Sequence, residues 1–413
     1  MSTARPVSSP LDETRTRAAG RLDGWLLTQL ARRVGNPRLR YALGTEERGA
    51  EQPVATLRFQ DRRALLGLLV DPEVHFGDAY AAGRIEVEGD LLETLETTYR
   101  ALSGRGAGPL SWLSLLARHT PGRSRHNVHH HYDLGNDFYV EWLDRALVYT
   151  CAYFETRDAS LEQAQVAKMD HVCRKLALRP GETVAEAGCG WGALALHMAR
   201  RYGVSVTACN LSHEQVAWAR ARAAEDGLDG RVTFLEADYR ALGGRFDAFV
   251  SVGMLEHVGL RAYRELAQVI DRCLHASRGR GLLHFIGRAQ PRPLNAWIRR
   301  RIFPGAYAPA LDQVFRRVLR PARVVVSDVE NLRRHYALTL AHWRSRYEEA
   351  CAEGRVRFDE RFRRTWRLYL AGSQAAFAAG SLELFQVSFA RRDDHSLPWT
   401  RAALYEGSRN AAC

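Results

Sequence analysis

The turn Gly188-Cys-Gly-Trp-Gly192 follows a short apolar run, Thr183 to Ala187, and leads into a helical pattern over Ala193 to Tyr202. Glycines at Gly188, Gly190 and Gly192 let a ligand approach the backbone, and the exposed N–H groups at the helix start favour a ligand carboxylate. The same spacing serves nicotinamide enzymes and plain tight turns, so the following strand ends decide. A dinucleotide enzyme would carry an acid about twenty residues on, at the end of the second strand, to hold a ribose. Asn210 stands there instead. Glu186 before the glycines and Asp238 after the third strand suit the amino group or adenine of S-adenosylmethionine. Ligands of open α/β sheets bind at the carboxyl ends of strands, so Glu186, Asn210, Asp238 and Glu256 are expected to face one crevice. Gln215 carries two readings: Ser212 and Gln215 fit a Ser-x-x-Gln capping box, and Gln215 can equally reach the cofactor.

The elements that must position these groups alternate as strand and helix from Gly181 onward, which predicts a parallel sheet with crossover helices. Strands are expected at Thr183–Ala187, 204–209, Val232–Glu236, 246–252 and 281–286, with a helix over 214–224 closed by Gly227. A late strand, 382–389, is expected to close the sheet beside a long helix over 360–379. The fold class is α/β, a seven-strand Rossmann-like methyltransferase sheet preceded by a small α+β domain. Leu22, Trp25, Leu26 and Leu30 recur at helical spacing near Arg21, Arg32 and Arg33, which fits a helix packed on its own domain or one lying on lipid. The domain plan is a disordered start at 1–20, a small N-terminal domain at 21–115, a linker at 116–130, a catalytic domain at 131–395 and a tail at 396–413. A Gly- and Ser-rich stretch at 103–109 also reads as linker.

The chain has 413 residues and a net charge of +12, carried almost wholly by Arg, with Lys168 and Lys175 as the lysines. Such a surface attracts phosphate-bearing partners, nucleic acid or anionic lipid, unless it is simply solvated. No apolar run reaches bilayer length, and the first residues lack the hydrophobic core of a secretory signal, so a soluble, cytoplasmic protein is expected. Seven cysteines without a Cys-x-x-Cys pair give neither a disulfide framework nor a zinc signature. The run His129-His130-His131 has no confirming ligands nearby, and no metal is expected.

The stretches His131-Tyr-Asp-Leu-Gly-Asn-Asp-Phe-Tyr139, Tyr149-Thr-Cys-Ala-Tyr-Phe154, Gly188-Cys-Gly-Trp-Gly192, Ser251-Val-Gly-Met-Leu-Glu-His-Val-Gly259 and Leu283-His-Phe-Ile-Gly287 closely resemble the cyclopropane-fatty-acid-phospholipid synthase family. That family includes mycolic acid cyclopropane synthases and enzymes that add a methyl branch. The segment 76–90 resembles the end of the family's small lipid-engaging N-terminal domain. The resemblance implies S-adenosylmethionine held by residues matching Tyr149, Thr150, Glu186, Gly188, Gly190, Gly192, Asn210, Leu211, Gln215, Asp238 and Tyr239. It implies as substrate an unsaturated phospholipid at the inner face of the membrane, reached by peripheral association, and it leaves room for a homodimer.

The chemistry explains these needs. An alkene is a poor nucleophile; taking the sulfonium methyl leaves a carbocation, which must be kept from water and then lose a proton. The resemblance implies that the base is a bound bicarbonate, held by residues matching Cys151, Glu256, His284, Ile286 and Tyr336. Taken alone, Cys151 reads as a small buried hydrophobe and Glu256 as an acid favoured by a helix start. Tyr132, Tyr149 and Tyr336 can stabilise the cation through their ring faces. Four positions depart from the family pattern: Glu186 for Asp, Asn210 for Thr, Phe285 for Thr, and Ser373 for a Cys. The leading expectation is cyclopropanation of phospholipid acyl chains, and the alternative is a methyl-branched or methylene product. A non-catalytic lipid-binding module would have no use for a cofactor turn beside a base cluster. An RNA base-amine methyltransferase would show an Asn/Asp-Pro-Pro-Tyr segment where Gly253-Met-Leu-Glu-His257 lies, so no nucleic-acid partner is expected.

Overall fold

The computed structural model describes residues 10–102 and 134–405. The linker stretches at 103–109 and 116–130, the run His129-His130-His131 and Tyr132 lie outside the described residues. The chain forms two compact units, one from the described residues up to 102 with 357–379, the other from 134–356 with 380–405.

In the first unit the order is α1 (Pro10–Val34), β1 (Leu39–Leu43), β2 (Glu46–Gly49), β3 (Ala55–Phe59), α2 (Arg62–Val70), α3 (Pro72–Ala81), β4 (Ile85–Gly89) and α4 (Leu91–Leu102). The sheet runs β2-β1-β3-β4, with β1 and β3 parallel and both outer pairs antiparallel. Ala55, Leu57 and Phe59 alternate inward along β3, the period of a half-buried strand. Leu26, Leu27 and Leu30 of α1 join that core, whereas Leu22 and Trp25 are exposed. The disordered start expected at 1–20 is corrected in part, because α1 begins at Pro10.

The second unit contains α5 (Leu161–Lys175), β5 (Thr183–Ala187), α6 (Ala193–Tyr202), β6 (Ser205–Asn210), α7 (His213–Glu225), β7 (Val232–Glu236), β8 (Ala248–Val252), α8 (Tyr263–Cys273), β9 (Arg280–Gly287), β10 (Val325–Asn331), α9 (Arg333–Ala352) and β11 (Glu383–Ala390). Its seven strands lie in the order β10-β11-β9-β8-β5-β6-β7. β5 to β9 are mutually parallel, and β11 is antiparallel to both β9 and β10. The parallel strands are buried on both faces, so alternate residues feed two cores. Val184, Val206, Val250 and Leu282 pack on the side that holds α5 to α7. Ala185, Phe249, Leu283 and Phe385 pack against Leu266 and Ile270 of α8. Strand order reverses at β5, which lies between β6 and β8, and this opens a crevice at its carboxyl end.

The helix α10 (Glu360–Ala378) corrects the expected plan. It was assigned to the sheet beside the late strand, and it packs instead within the first unit against α3 and α4. Arg364 anchors it there, donating to the carbonyls of Tyr80 and Ile85 and to Glu86. Ser373 belongs to this helix.

An ion cluster ties α5 to β10. Glu330 accepts from Lys175 Nζ at 2.6 Å and lies 2.7 Å from His171 Nε2, and its carboxyl is held down at about 2 against burial by these partners. A carboxyl lowered from 4.5 to about 2 supplies stability that is full above about 4.5 and lost as pH falls toward 2, on the order of 3 kcal/mol at most. Glu330→Gln should therefore destabilise the fold at neutral pH by about 2–4 kcal/mol and flatten the acid limb of the stability curve. Denaturant melts across pH 2–7 check this; parallel curves for the two proteins would contradict it.

Candidate active site

The crevice beyond β5 is lined by ten of the eleven residues assigned to the cofactor: Tyr149, Thr150, Glu186, Gly188, Gly190, Asn210, Leu211, Gln215, Asp238 and Tyr239. Gly188 and Gly190 hold left-handed backbone, with φ of 84° and 55°. A Cβ on Gly190 would meet no protein atom within 4 Å, so a side chain there would enter the crevice. Gly192 is the one of the eleven that does not line the crevice. It caps α6, and a Cβ there would lie 2.7 Å from Phe234 and 2.8 Å from Ala219. Its lack of a side chain permits close helix–sheet packing.

The two readings of Gln215 separate in the structure. Ser212 caps α7, but the Gln215 side chain turns to the crevice, where its Oε1 accepts from Asn210 Nδ2 at 2.6 Å. Asn210 also reaches the Gly190 carbonyl at 3.3 Å, bracing the glycine turn from the end of β6. Asp238 is already engaged, accepting from the Arg240 amide and guanidinium. Glu186 differs. It is buried, its Oε2 has no hydrogen-bond partner in the protein, and burial pushes its carboxyl up to about 8, opposed by the charge of Lys168.

The residues assigned to the base gather beside this crevice without lining it. Glu256 sits in the single turn Leu255–Val258 after β8, and its Oε1 accepts from the Ile286 amide at 2.6 Å. The Ile286 N–H is thus committed to fixing the carboxyl. The other oxygen, Oε2, is buried without a protein partner, and burial raises the group to about 7. His284 and Ile286 share one face of β9, two residues apart. The Gln386 amide nitrogen lies 3.1 Å from His284 Nδ1 and donates to it, which puts the ring proton on Nε2, an atom buried with no partner in the protein. Burial keeps this imidazole neutral, far below its usual range.

Strand pairing brings the remaining two in. Leu384 faces Ile286 across β11 and β9, and the Leu384 carbonyl holds Leu332. Leu332 in turn lies 4.0 Å from Cys151 Sγ and accepts the Tyr336 amide. The Cys151 thiol donates to Ala152 O, and burial drives it far above its ordinary value, so it is no nucleophile. Phe285, between His284 and Ile286, points to the opposite core and packs on Phe385.

An aromatic wall connects the two regions. Ring centroids lie 5.0 Å apart for Tyr139 and Trp191, 5.3 Å for Trp142 and Tyr149, 5.2 Å for Tyr149 and Trp343, and 5.9 Å for Tyr336 and Trp343. The sequence reading missed Lys168, Trp191, Met254, His257 and Pro304 as crevice residues. Only Met254, His257 and Trp191 lay inside motifs that could have signalled them.

The description "Mycolic acid cyclopropane synthetase" belongs to the family model that matches residues 119–387. A probable fatty acid methyltransferase of Pseudomonas putida is 37% identical over 359 residues, covering 83% of this chain and 89% of its own. The cyclopropane-fatty-acyl-phospholipid synthase of Escherichia coli (strain K12) is 41% identical over 269 residues, covering 65% and 68%. Among solved structures, the mycolic acid cyclopropane synthase CmaA1 complexed with SAH and CTAB superposes with a TM-score of 0.61 at 30% identity, covering 65% of this chain and 98% of that one.

The two glycines should respond differently. Gly190→Val is expected to fold and to lose S-adenosylhomocysteine binding by more than about a hundredfold, since a branched side chain at left-handed φ enters the crevice. Gly192→Val should instead fail to fold or melt far lower, from its clash with Phe234. Calorimetry and thermal melts separate the two; retained affinity in folded Gly190→Val would remove the turn from the cofactor site.

Proposed function

The chain belongs to the mycolic acid cyclopropane synthetase family and is an S-adenosylmethionine-dependent methyltransferase, and from that premise we propose that it methylenates the double bond of an unsaturated phospholipid acyl chain to form a cyclopropane. The observation that carries the reading is that Glu256 Oε2, in the turn whose Gly253, Met254 and His257 line the cofactor crevice, and His284 Nε2 on β9 are both buried without a partner in the protein.

S-adenosylmethionine supplies an electrophilic methyl on a sulfonium. One alkene carbon forms a bond to that methyl as its bond to sulfur breaks, and the other alkene carbon becomes cationic. The rings of Tyr149 and Tyr336, backed by Trp343, offer π faces to the positive charge while excluding water. Closing the ring requires removal of a proton from the new methyl group.

Bicarbonate suits the neighbouring cluster as the base. Glu256, raised to about 7, can present Oε2–H to an anion, and neutral His284 presents Nε2–H. These are the donors a small anion needs at a buried site. Cys151 and Tyr336 flank the cluster through Leu332, and Ile286 holds Glu256 in place.

A second reading, a methyl-branched or methylene product from the same cation, is favoured by the likeness to the Pseudomonas putida fatty acid methyltransferase over 83% of the chain. The partner in either case is an unsaturated phospholipid at a membrane surface, with the Arg-rich surface drawn to anionic head groups. Among the described residues no helix is long and apolar enough to cross a membrane, and the association proposed is peripheral.

Two outcomes are expected. Glu256→Gln should keep S-adenosylhomocysteine affinity within about twofold while product formation falls about 10²–10⁴-fold, as displacement of a general base from its position does. Bicarbonate depletion should reproduce that loss in the wild type, with recovery on adding it back; a normal cyclopropane yield from Glu256→Gln without bicarbonate would place the base elsewhere. The full chain should also float with anionic vesicles and be released as salt rises. Equal flotation with neutral vesicles would exclude the electrostatic contribution.

A further inference from the structure

Of the 59 lysines and arginines, only Lys168 and Lys175 are lysines, and both are buried. Elsewhere this chain uses Arg. The two lysines are therefore the places where a compact, donor-only ammonium fits and a broad guanidinium fork does not. They differ in their company. Lys175 is neutralised, 2.6 Å from Glu330 and 3.7 Å from Asp328. Lys168 lines the cofactor crevice and, among the described residues, has no carboxylate within 4 Å. Its hydrogen-bond partner is Thr150 Oγ1 at 2.8 Å.

That contact fixes the direction of a proton. An ammonium can only donate, so Thr150 Oγ1 accepts, and the hydroxyl hydrogen must point elsewhere. The rest of Thr150 is immobilised. Gln165, one turn before Lys168 on α5, donates to the carbonyls of Val148 and Thr150, and the Thr150 methyl abuts Gly253, where any Cβ would come within 2.8 Å. Thr150 lines the crevice, and its O–H, not used toward Lys168, can rotate to donate to a ligand there, with a buried positive charge behind it. Glu186 lines the same crevice, and its buried Oε2 has no partner in the protein. A donor backed by positive charge and an unpartnered acid in one crevice are complementary to a zwitterionic amino acid, its carboxylate to the first and its ammonium to the second.

We propose that Lys168 is a positioning residue that locks Thr150 as the hydroxyl donor to the carboxylate of the amino-acid end of the methyl donor, while Glu186 receives its ammonium. This assignment rests on the cofactor reading above and adds which groups select the amino-acid end. Asp144 makes no hydrogen bond to Lys168; its two oxygens accept the amides of Ala146 and Val148. Burial pulls the Lys168 ammonium down to about 8, with Asp144, Cys151 and Glu186 opposing.

Two ligands test this: S-adenosylhomocysteine, and 5′-methylthioadenosine, which keeps the nucleoside and sulfur but lacks the amino-acid end. Calorimetry on the full chain should show Lys168→Met weakening S-adenosylhomocysteine about 10- to 100-fold, as expected for hydrogen bonds to charged groups. Binding of 5′-methylthioadenosine should change by less than about twofold. Thr150→Val should reproduce this selective loss and Thr150→Ser should restore binding, so the assignment stays testable if Lys168→Met does not fold. Wild-type S-adenosylhomocysteine binding carries the cofactor reading, and the ratio between the two ligands carries this one. An equal loss for both ligands, or undiminished S-adenosylhomocysteine binding in Thr150→Val, would overturn it.

Discussion

A carboxyl or imidazole sealed from water without a partner costs on the order of 1–3 kcal/mol, and the catalytic unit places three such groups around one crevice and its rim. Glu186 Oε2, Glu256 Oε2 and His284 Nε2 are buried atoms with no partner in the protein. Hydrophobic cores on both faces of the sheet make this arrangement sustainable. Burial raises both carboxyls and keeps the imidazole neutral, which converts these side chains from solvated charges into selective hydrogen-bonding groups. The proposed binding and proton-handling roles both rest on this desolvation.

The topology places the two groups of residues on neighbouring strands. The turn after β5, the ends of β6 and β7 and the turn after β8 line the crevice, and Glu256 in that last turn reaches β9 through the Ile286 amide. The Gly253 amide donates to the His284 carbonyl at 2.9 Å, joining the loop that lines the crevice to the strand that carries the imidazole. Aromatic rings in contact run from Trp191 at the crevice through Tyr149 and Trp343 to Tyr336, the π faces that the proposed cation requires.

Much of this was legible in the sequence where a local pattern has a local cause. The spans of β5 and α6 follow from the glycines that bound them, Gly181 and Gly188 for the strand and Gly192 and Gly203 for the helix. What was not legible depended on distant packing. Gly192 looks like Gly188 and Gly190 in the chain, and only the approach of Phe234 and Ala219 shows that it serves the core. The periodicity of α10 says that it is a helix, while its assignment to the first unit depends on Arg364 meeting Tyr80 and Glu86, which are more than 270 residues away in sequence. Lys168 carried a compositional signal, a lysine in an arginine-rich chain, but nothing in its spacing linked it to Thr150.

The central claim is that the carbocation loses a proton from the transferred methyl group to a base at Glu256 and His284. The most direct measurement supplies a donor bearing a trideuterated methyl to the enzyme on unsaturated phospholipid vesicles, and reads the label retained in the acyl chains by mass spectrometry and NMR. The account predicts a ring-containing product that keeps two of the three deuterons. Acyl products that all retain the intact trideuterated methyl, with no ring, would contradict it.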